Sequence, residues 1–257
     1  MTDEVRQQLH NEINGSVFGN SLQVSSILGD VHLHEQPAGS LLARFASAVE
    51  HLASTNAISR IASLGLLEDL GQQHSEFRKP VMDVLCAYLR APRTHPPDRG
   101  ERQVLTRAQE IIVKHMSIPR RDLRDLSYDR DKDIDSNEDT MDRHYWDSVP
   151  VDLSDTIIED FDISRRFVDD VDFRRTKFIG RAANFTGTQF SHSPRFDDSV
   201  FVASAEFTGC YFNRGASFDR TYFAADASFR DAYFTGSFKN NDMRCAGKLD
   251  TTGIRVH

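Results

Sequence analysis

Twelve phenylalanines between residues 173 and 234 recur at steps that neither a helix nor a flat strand can use. They stand at Phe173, Phe178, Phe185, Phe190, Phe196, Phe201, Phe207, Phe212, Phe218, Phe223, Phe229 and Phe234. From Phe185 onward the steps alternate between five and six residues, an eleven-residue double unit. Upstream, Leu153, Ile158, Ile163, Val168 and Phe173 step by five. A helix repeats at about 3.6 residues and a strand at 2, so steps of five and six sustained over about 80 residues exclude an amphipathic helix and ordinary sandwich strands.

Two residues before these rings stand small side chains: Thr176, Ala183, Thr188, Ser199, Ala205, Cys210, Ala216, Thr221, Ala227 and Ala232. In extended chain the two positions point the same way. A large residue admitted by a small one on the same side is what a narrow tube requires. Each unit would form one wall, four walls one coil, and coils would stack through backbone hydrogen bonds about 4.8 Å apart. The pattern predicts a right-handed quadrilateral β-helix over residues 151–238, roughly sixteen walls or about four coils. Pro194, two before Phe196, is the exception and predicts a bulged or edge position. The open ends of such a coil need covers. Residues 239–257, with Leu249, Ile254 and Val256, are expected as a C-terminal cap or tail, and the Tyr145-Trp146 segment or the helices as the cover near Leu153.

The chain ahead of the repeat has other periods. In residues 1–39, Ile13, Val17, Leu22, Val24, Ile27, Val31 and Leu33 alternate with small or polar residues, with Gly15, Gly19 and Gly29 between them. This predicts a short β-rich segment, and a lone hairpin is marginal in water, so a second copy is one expected partner for it. Residues 40–117 turn helical. The stripes are Leu41, Leu42, Phe45, Val49 and Leu52, then Ile58, Ile61, Leu64, Leu67 and Leu70. Val81, Val84, Leu85, Tyr88 and Leu89 form a third, and Val104, Leu105, Ala108, Ile111 and Ile112 a fourth. Four helices with short connections imply a small bundle or a HEAT-like pair. Residues 118–150 are charged and aperiodic, the expected linker. The fold class is thus α+β and multi-domain: a β-rich segment, a helical bundle and a β-helix.

The net charge of −8 is localised, because from 122 to 172 Asp and Glu outnumber Lys and Arg three to one. No run of apolar residues is long enough for a membrane span, and the N-terminal residues lack a basic start followed by an apolar core. Cys86, Cys210 and Cys245 are few, odd in number and far apart, fitting a reducing compartment. A cytoplasmic protein is expected.

Candidate sites are sparse. Asp129, Asp131, Asp133 and Asp135 alternate like a calcium loop, but the sixth and twelfth positions hold Ile134 and Thr140, or Ser136 and Asp142, instead of Gly and Glu. A solvated acidic linker is the better reading. His32 and His34 share one face of a predicted strand without a further cluster nearby, so surface histidines are expected rather than a metal site. Cys210 falls among the small inward positions and Cys86 in an apolar helix, so both read as packing and not as reactive thiols. No phosphate loop, nucleophile elbow, zinc-protease or dinucleotide motif occurs. The cations Arg174, Arg175, Lys177, Arg181, Arg195, Arg214, Arg220 and Arg230 interleave with acids and make no nucleic-acid stripe. No catalytic, cofactor or metal residues are assigned, and the chain is expected not to be an enzyme.

The run DLSDTIIEDFDIS followed by ANFTGTQF, AEFTGCYF and ASFDRTYF resembles the pentapeptide-repeat family, in the aromatic eleven-residue variety common in actinobacterial proteins. The pieces ARFASAVEHLAS, SRIASLGLLEDL, KPVMDVLCAYLR and RQVLTRAQEIIVKH resemble the helical region that precedes such repeats, and NEINGSVFGNSLQVSSILGDVHLH a β-rich leader on actinobacterial regulatory and defence-type proteins. The resemblance implies a soluble scaffold and supplies no catalytic residues. The expected function is a non-catalytic protein-interaction scaffold or adaptor in a bacterial regulatory or defence complex, whose partner is a protein selected by outward charges such as Arg220, Asp226, Arg230 and Asp231. The alternative, which the resemblance also implies, is a DNA mimic that binds DNA gyrase or another DNA-binding protein.

Overall fold

Asn56 and Asp98 open two of the four helices in the ordinary way, each side chain accepting from a backbone N–H of the first turn (Ile58 at 2.8 Å, Glu101 at 2.7 Å). The computed structural model describes residues 39–93, 96–119 and 144–257. The β-rich segment, His32, His34, the acidic run at 129–142 and self-association through the N-terminal residues lie outside them. The chain divides between Ser47 and Ala48 into two units, of which the first contributes only the opening turns of helix α1 (Gly39–His51) to the described residues.

In the second unit α2 (Ala57–Gln73), α3 (Arg78–Arg90) and α4 (Arg99–Met116) pack on one another. Their shared core is Leu64, Leu67, Leu70, Val81, Leu85, Val104, Ala108 and Ile111, all buried. Two residues of the apolar stripes face water instead: Leu42 is 63% and Ile58 77% exposed. Ile58 sits in the first turn of α2, beside its cap.

Residues 151–256 form a parallel β-solenoid of about five turns. The first wall runs through Val151–Asp152, Val171–Asp172, Arg195, Ala216–Ser217 and Phe238–Lys239. The second runs through Ile157–Glu159, Lys177–Ile179, Val200–Phe201, Tyr222–Phe223 and Arg244–Cys245. The third runs through Asp162, Ala182–Asn184, Ser204–Glu206, Ala227–Ser228 and Leu249–Asp250. The fourth holds Arg166–Val168, Gln189–Phe190, Tyr211–Phe212, Tyr233–Phe234 and Arg255–Val256. Successive turns are about 22 residues apart. The first step is shorter, Val151 lying beside Val171, because the early walls step by five. Surplus residues then enter at corners. Between Phe178 and Phe185 the chain swells at Gly180-Arg181, where Gly180 takes φ +95° and a side chain would strike Asp160.

All twelve phenylalanines lie on the axis, none more than 2% exposed. They form four columns of parallel rings. Phe185, Phe207 and Phe229 stack at 4.6 and 4.8 Å between centroids, and Phe178, Phe201 and Phe223 at 4.4 and 4.8 Å. Rings of neighbouring columns meet edge to face, as Phe207 meets Phe218 at 90°. Both geometries suit the ring quadrupole, and the stacking distance equals the strand spacing that the backbone imposes. The small positions are buried too. Several hold hydroxyls that donate to carbonyls of the previous turn: Thr176 to Leu153, Thr188 to Ile163 and Thr221 to Phe196, each at 2.7 Å. Ser199 Oγ alone among these hydroxyls is buried without a partner.

Two expectations need correction. About four coils ending at residue 238 become about five, because residues 239–257 are no tail: their strands continue all four walls. The last turn escapes the phenylalanine pattern because it inverts it. The axial position holds Asn240, Cys245, Thr251 and Val256, while the normally small position holds Phe238, Met243, Leu249 and Ile254. Of these large side chains Phe238 packs on the last ring layer, stacking on Phe234 at 4.5 Å. Phe218, Phe223, Phe229 and Phe234 are fully buried beneath this turn. Pro194 is also no bulge. It is buried at the small position, its carbonyl accepts from Ser217 N at 3.1 Å, and only the rung that its missing N–H would make is lost. That loss coincides with the place where the first wall is joined by single bridges at Arg195.

The other end is closed by the rest of the unit. Arg90 donates to the carbonyls of Asp152 and Ser154, both at 2.9 Å, and Gln109 to that of Glu159 at 3.0 Å. Strand Ser117–Pro119 pairs antiparallel with Arg166–Val168. Three of the four walls thus have their first edge satisfied. Of the two expected covers, the helices supply one, while Trp146 packs on the helices themselves. Its ring stacks on His115 at 4.0 Å and lies so close to Gly71 that a Cβ there would sit 2.5 Å from it. Within the expected linker, 118–150, the described residues are 118–119, which lie in the strand Ser117–Pro119, and 144–150.

Candidate binding surface

A solenoid spends its inward positions on packing, so its chemistry lies in the residues that flank each axial one. Those of the second wall are mostly apolar. Ile157, Val200 and Tyr222 stand on one side of the axial residue, and Ile179, Val202, Ala224 and Ala246 on the other. Glu159, Lys177 and Arg244 are the polar exceptions. Ile157 is 37%, Tyr222 41% and Val202 43% exposed. The third wall is acidic, with Asp160, Asp162, Glu206, Asp226 and Asp250 against Arg230 and Lys248. Burial and the charge of Asp226 push the Glu206 carboxyl above its ordinary value. The fourth carries an aromatic step, Tyr211 over Tyr233 at 5.0 Å. The first is ion-paired: Asp172 takes Arg174 at 2.8 Å and Arg195 at 2.7 Å.

Between the first and second walls the corner is a charge ladder. Asp155, Arg175, Asp198, Arg220 and Asp242 all adopt left-handed backbone, with φ between 54° and 59°. Hydrogen bonds from the turn below place them in one column. Arg175 binds Asp155 through Nε and Nη2 at 2.6 and 2.7 Å, and Arg220 binds Asp198 at the same two distances. The guanidinium partners hold the Asp155 and Asp198 carboxyls below their ordinary values. Of the interleaved cations, Arg174, Arg175, Arg181, Arg195 and Arg220 are thus engaged with carboxylates. Arg220, Asp226, Arg230 and Asp231 are all exposed.

At the head of the second wall a cleft of about 220 Å³ opens between the helices and the solenoid. Leu89, Pro92, Pro97 and Leu105 line one side, Ile157 and Ile179 the other. Leu105, expected in the helical core, is only partly covered and faces this cleft. The cleft's cations are committed: Arg93 to Glu101 at 3.2 Å, Arg90 to Asp152 at 2.9 Å and Arg102 to Glu159 at 3.3 Å. Sequence periodicity could not show the cleft or the apolar wall, because their residues come together only once the turns are in register.

Two constellations have the residue types of catalysis. Glu68, nearly buried, receives Arg107 at 2.6 Å and Lys114 at 2.8 Å, with His115 Nε2 at 3.1 Å. Burial alone would raise the Glu68 carboxyl, but the bonds from Lys114 and His115 and the Arg107 charge bring it below its ordinary value. Burial pulls His115 down. Trp146 covers the His115 ring, while Arg107 and Lys114 reach Glu68 from the solvent side, so the cluster fastens the helices to the returning chain. At the corner after the fourth wall, Asp169 accepts from Ser191 Oγ and faces His192 Nδ1 at 2.9 Å, while Ser191 Oγ also lies 3.2 Å from the same Nδ1. A hydrolytic triad needs the ring between acid and hydroxyl, using both nitrogens. Here one nitrogen faces both groups, and the arrangement is a corner clasp.

The thiols follow the same logic. Burial pushes Cys86 up to about 12 and raises Cys210 further, and Cys210 Sγ lies 2.9 Å from the Phe185 carbonyl in the position that Thr takes elsewhere. Neither has the thiolate character of a reactive cysteine. Among the described residues no group of three or more His, Cys, Asp or Glu is placed to hold a metal ion, and no helix is long and apolar enough to cross a membrane. The chain matches no family model, no curated protein and no solved structure.

Proposed function

We propose that the chain is a non-catalytic protein-interaction scaffold of the pentapeptide-repeat kind, whose outer walls bind a partner protein. The supporting observation is the second wall: apolar side chains held outward on a rigid backbone, with no structural duty in the tube they decorate. Apolar groups that pack against nothing are the usual mark of an interaction surface. The membership rests on the large–small inward alternation and on four walls per turn. The test is capture of the tagged full chain from its own cells, then reconstitution of any co-purifying protein from pure components. A stable binary complex supports the reading; a chain recovered alone at native expression level, with no binary complex, overturns it.

A second reading, DNA mimicry, has the acidic third wall in its favour. Five turns are four steps of about 4.8 Å, so the acidic strip is only about 19 Å long. Most of its carboxylates are also occupied. Asp160 accepts from the Arg181 backbone, Asp226 from that of Lys248 at 2.8 Å and Asp250 from that of Thr252 at 3.0 Å. They fasten corners, so the scaffold reading stands first. A gyrase supercoiling assay separates the two: inhibition or drug protection by the pure protein would favour the mimic.

A further inference from the structure

Six apolar side chains from three parts of the chain converge on the cleft at the head of the second wall without filling it. Leu89, Pro92 and Pro97 come from the end of α3 and the turn after it, Leu105 from α4, and Ile157 and Ile179 from the first two turns of the solenoid. Close-packed proteins ordinarily close such a space. Here its sides are held apart. Arg93 ties the turn to the Leu89 carbonyl at 2.8 Å and to Glu101 at 3.2 Å. Gln109 pins α4 to the Glu159 carbonyl, and Arg90 pins α3 to those of Asp152 and Ser154. Charges around the cleft balance: Arg90 faces Asp152, Arg93 Glu101, Arg102 Glu159 and Arg175 Asp155. The cleft therefore calls for no ion. Hydrogen-bond acceptors are left over. Gln109 donates through its amide nitrogen and keeps its oxygen, and the Thr106 hydroxyl, also in the lining, has no partner among the described residues.

We propose that this cleft binds a neutral, bicyclic aromatic small molecule carrying one N–H, of the indole type. A cavity of about 150 Å³ in another protein holds benzene, so about 220 Å³ holds about nine ring atoms. Proline rings and branched aliphatic side chains present C–H groups, which suit the electron-rich faces of such a molecule. Its N–H donates to the Gln109 oxygen or the Thr106 hydroxyl. Apolar walls with a few polar groups that fix orientation are the ordinary make-up of a small-molecule site. A ligand there touches α3, α4 and the solenoid at once and stabilises their junction by mass action. The site needs no partner protein, so it is independent of the scaffold reading.

The experiment titrates 3-methylindole into the isotope-labelled full chain and follows backbone amide shifts and the thermal midpoint. Saturable shifts should centre on Leu105, Thr106, Ile157 and Ile179, and the midpoint should rise with ligand concentration. 1-Methylindole, equal in size but without the donor, should bind at least threefold more weakly, and indole-3-acetate no more tightly than 3-methylindole. Leu105→Trp and Ile179→Trp, both at partly covered positions, should fill the cleft and weaken 3-methylindole at least tenfold. Either variant decides the matter if the other does not fold. Tyr222→Ala, two turns further down the same wall, should leave binding unchanged. Absence of saturable shifts at the cleft, equal binding of the two methylindoles, preference for the anion, or indifference to a folded filling variant overturns the proposal. So does at least tenfold tighter binding of N-acetyltryptophan amide, which would assign the cleft to a tryptophan of a partner protein. A chain that binds 3-methylindole here yet captures no protein keeps this site and loses the scaffold reading; a captured partner with an empty cleft does the reverse.

Discussion

Turns four and five run in register, strand for strand, yet they fill the tube in opposite ways. In the fourth, Phe218, Phe223, Phe229 and Phe234 occupy the axis, admitted by Ala216, Thr221, Ala227 and Ala232. In the fifth, the large residues have moved two positions back and the axis holds Asn240, Cys245, Thr251 and Val256. Each wall offers two inward positions two residues apart. In these two turns the large residue takes the axial one where another turn lies above and the other where none does. With a neighbour, an axial ring can stack; without one, an axial ring would face water, and a bulky residue at the edge position does better by folding over the layer below.

The sharpest way to break this comparison is to impose one arrangement on the other turn. Exchanging Ala227 and Phe229 conserves volume but removes a ring stacked 4.8 Å from Phe207 and forces a phenylalanine between Ala205 and Leu249. Loss of a buried ring together with overpacking is expected to cost more than about 4 kcal/mol. The mirror change in the fifth turn, Leu249→Ala with Thr251→Phe, should stay within about 1.5 kcal/mol. Urea midpoints followed by far-ultraviolet circular dichroism measure both, and equal losses would mean that position does not matter.

The helices respond to a different variable. Glu68's folded carboxyl titrates below its ordinary value of 4.5, so its contribution is present above that pH and is lost as pH falls through it. His115, held below 6.5, binds its proton more readily in the unfolded chain, so its loss of stability begins as pH drops under 6.5. Both act in the same direction, and the thermal midpoint should decline as pH drops below about 6.5 and decline further below 4.5. Glu68→Gln should lower stability at pH 7 by about 2 kcal/mol, leaving Lys114 and Arg107 short of a partner, and flatten the lower half of that decline. An unaltered acid limb in the variant would remove Glu68 from the account.

Smaller effects separate hydroxyls that look alike. Thr221→Val removes one of the two donors to the Phe196 carbonyl and should cost about 1 kcal/mol, whereas Ser199→Ala removes an unpartnered oxygen and should be neutral or mildly stabilising. Matching losses in urea melts would show that the hydroxyls do nothing. At the charge ladder, Arg220→Ala should have the smallest effect on the urea midpoint, and less at high salt, since the pair is exposed. A salt-independent loss would point to packing by the guanidinium stem.

The inward face was legible from residue spacing because steric fit leaves it little freedom: Phe185 to Phe234 and their small companions could be assigned without a structure. The fifth turn was missed because aromatic identity stopped at Phe234. Its signal was present in Phe238, Met243, Leu249 and Ile254, which keep steps of five, six and five in the other position. The helical stripes showed the helices but not where each ends its contact, so Leu42 and Ile58 were misplaced. The candidate surface was the least readable. The ladder joins Asp155, Arg175, Asp198, Arg220 and Asp242 at steps of 20, 23, 22 and 22, and no fixed period finds a column whose spacing changes at the corners.

Corner swelling at Gly180-Arg181 has a bearing on how such a chain can change length. A wall cannot absorb one extra residue without turning its ring outward, but a corner can, as it does there. Insertions should therefore be tolerated in two sizes only: a few residues bled off at a bend, or a whole storey of about 22 that slots in and leaves every wall aligned.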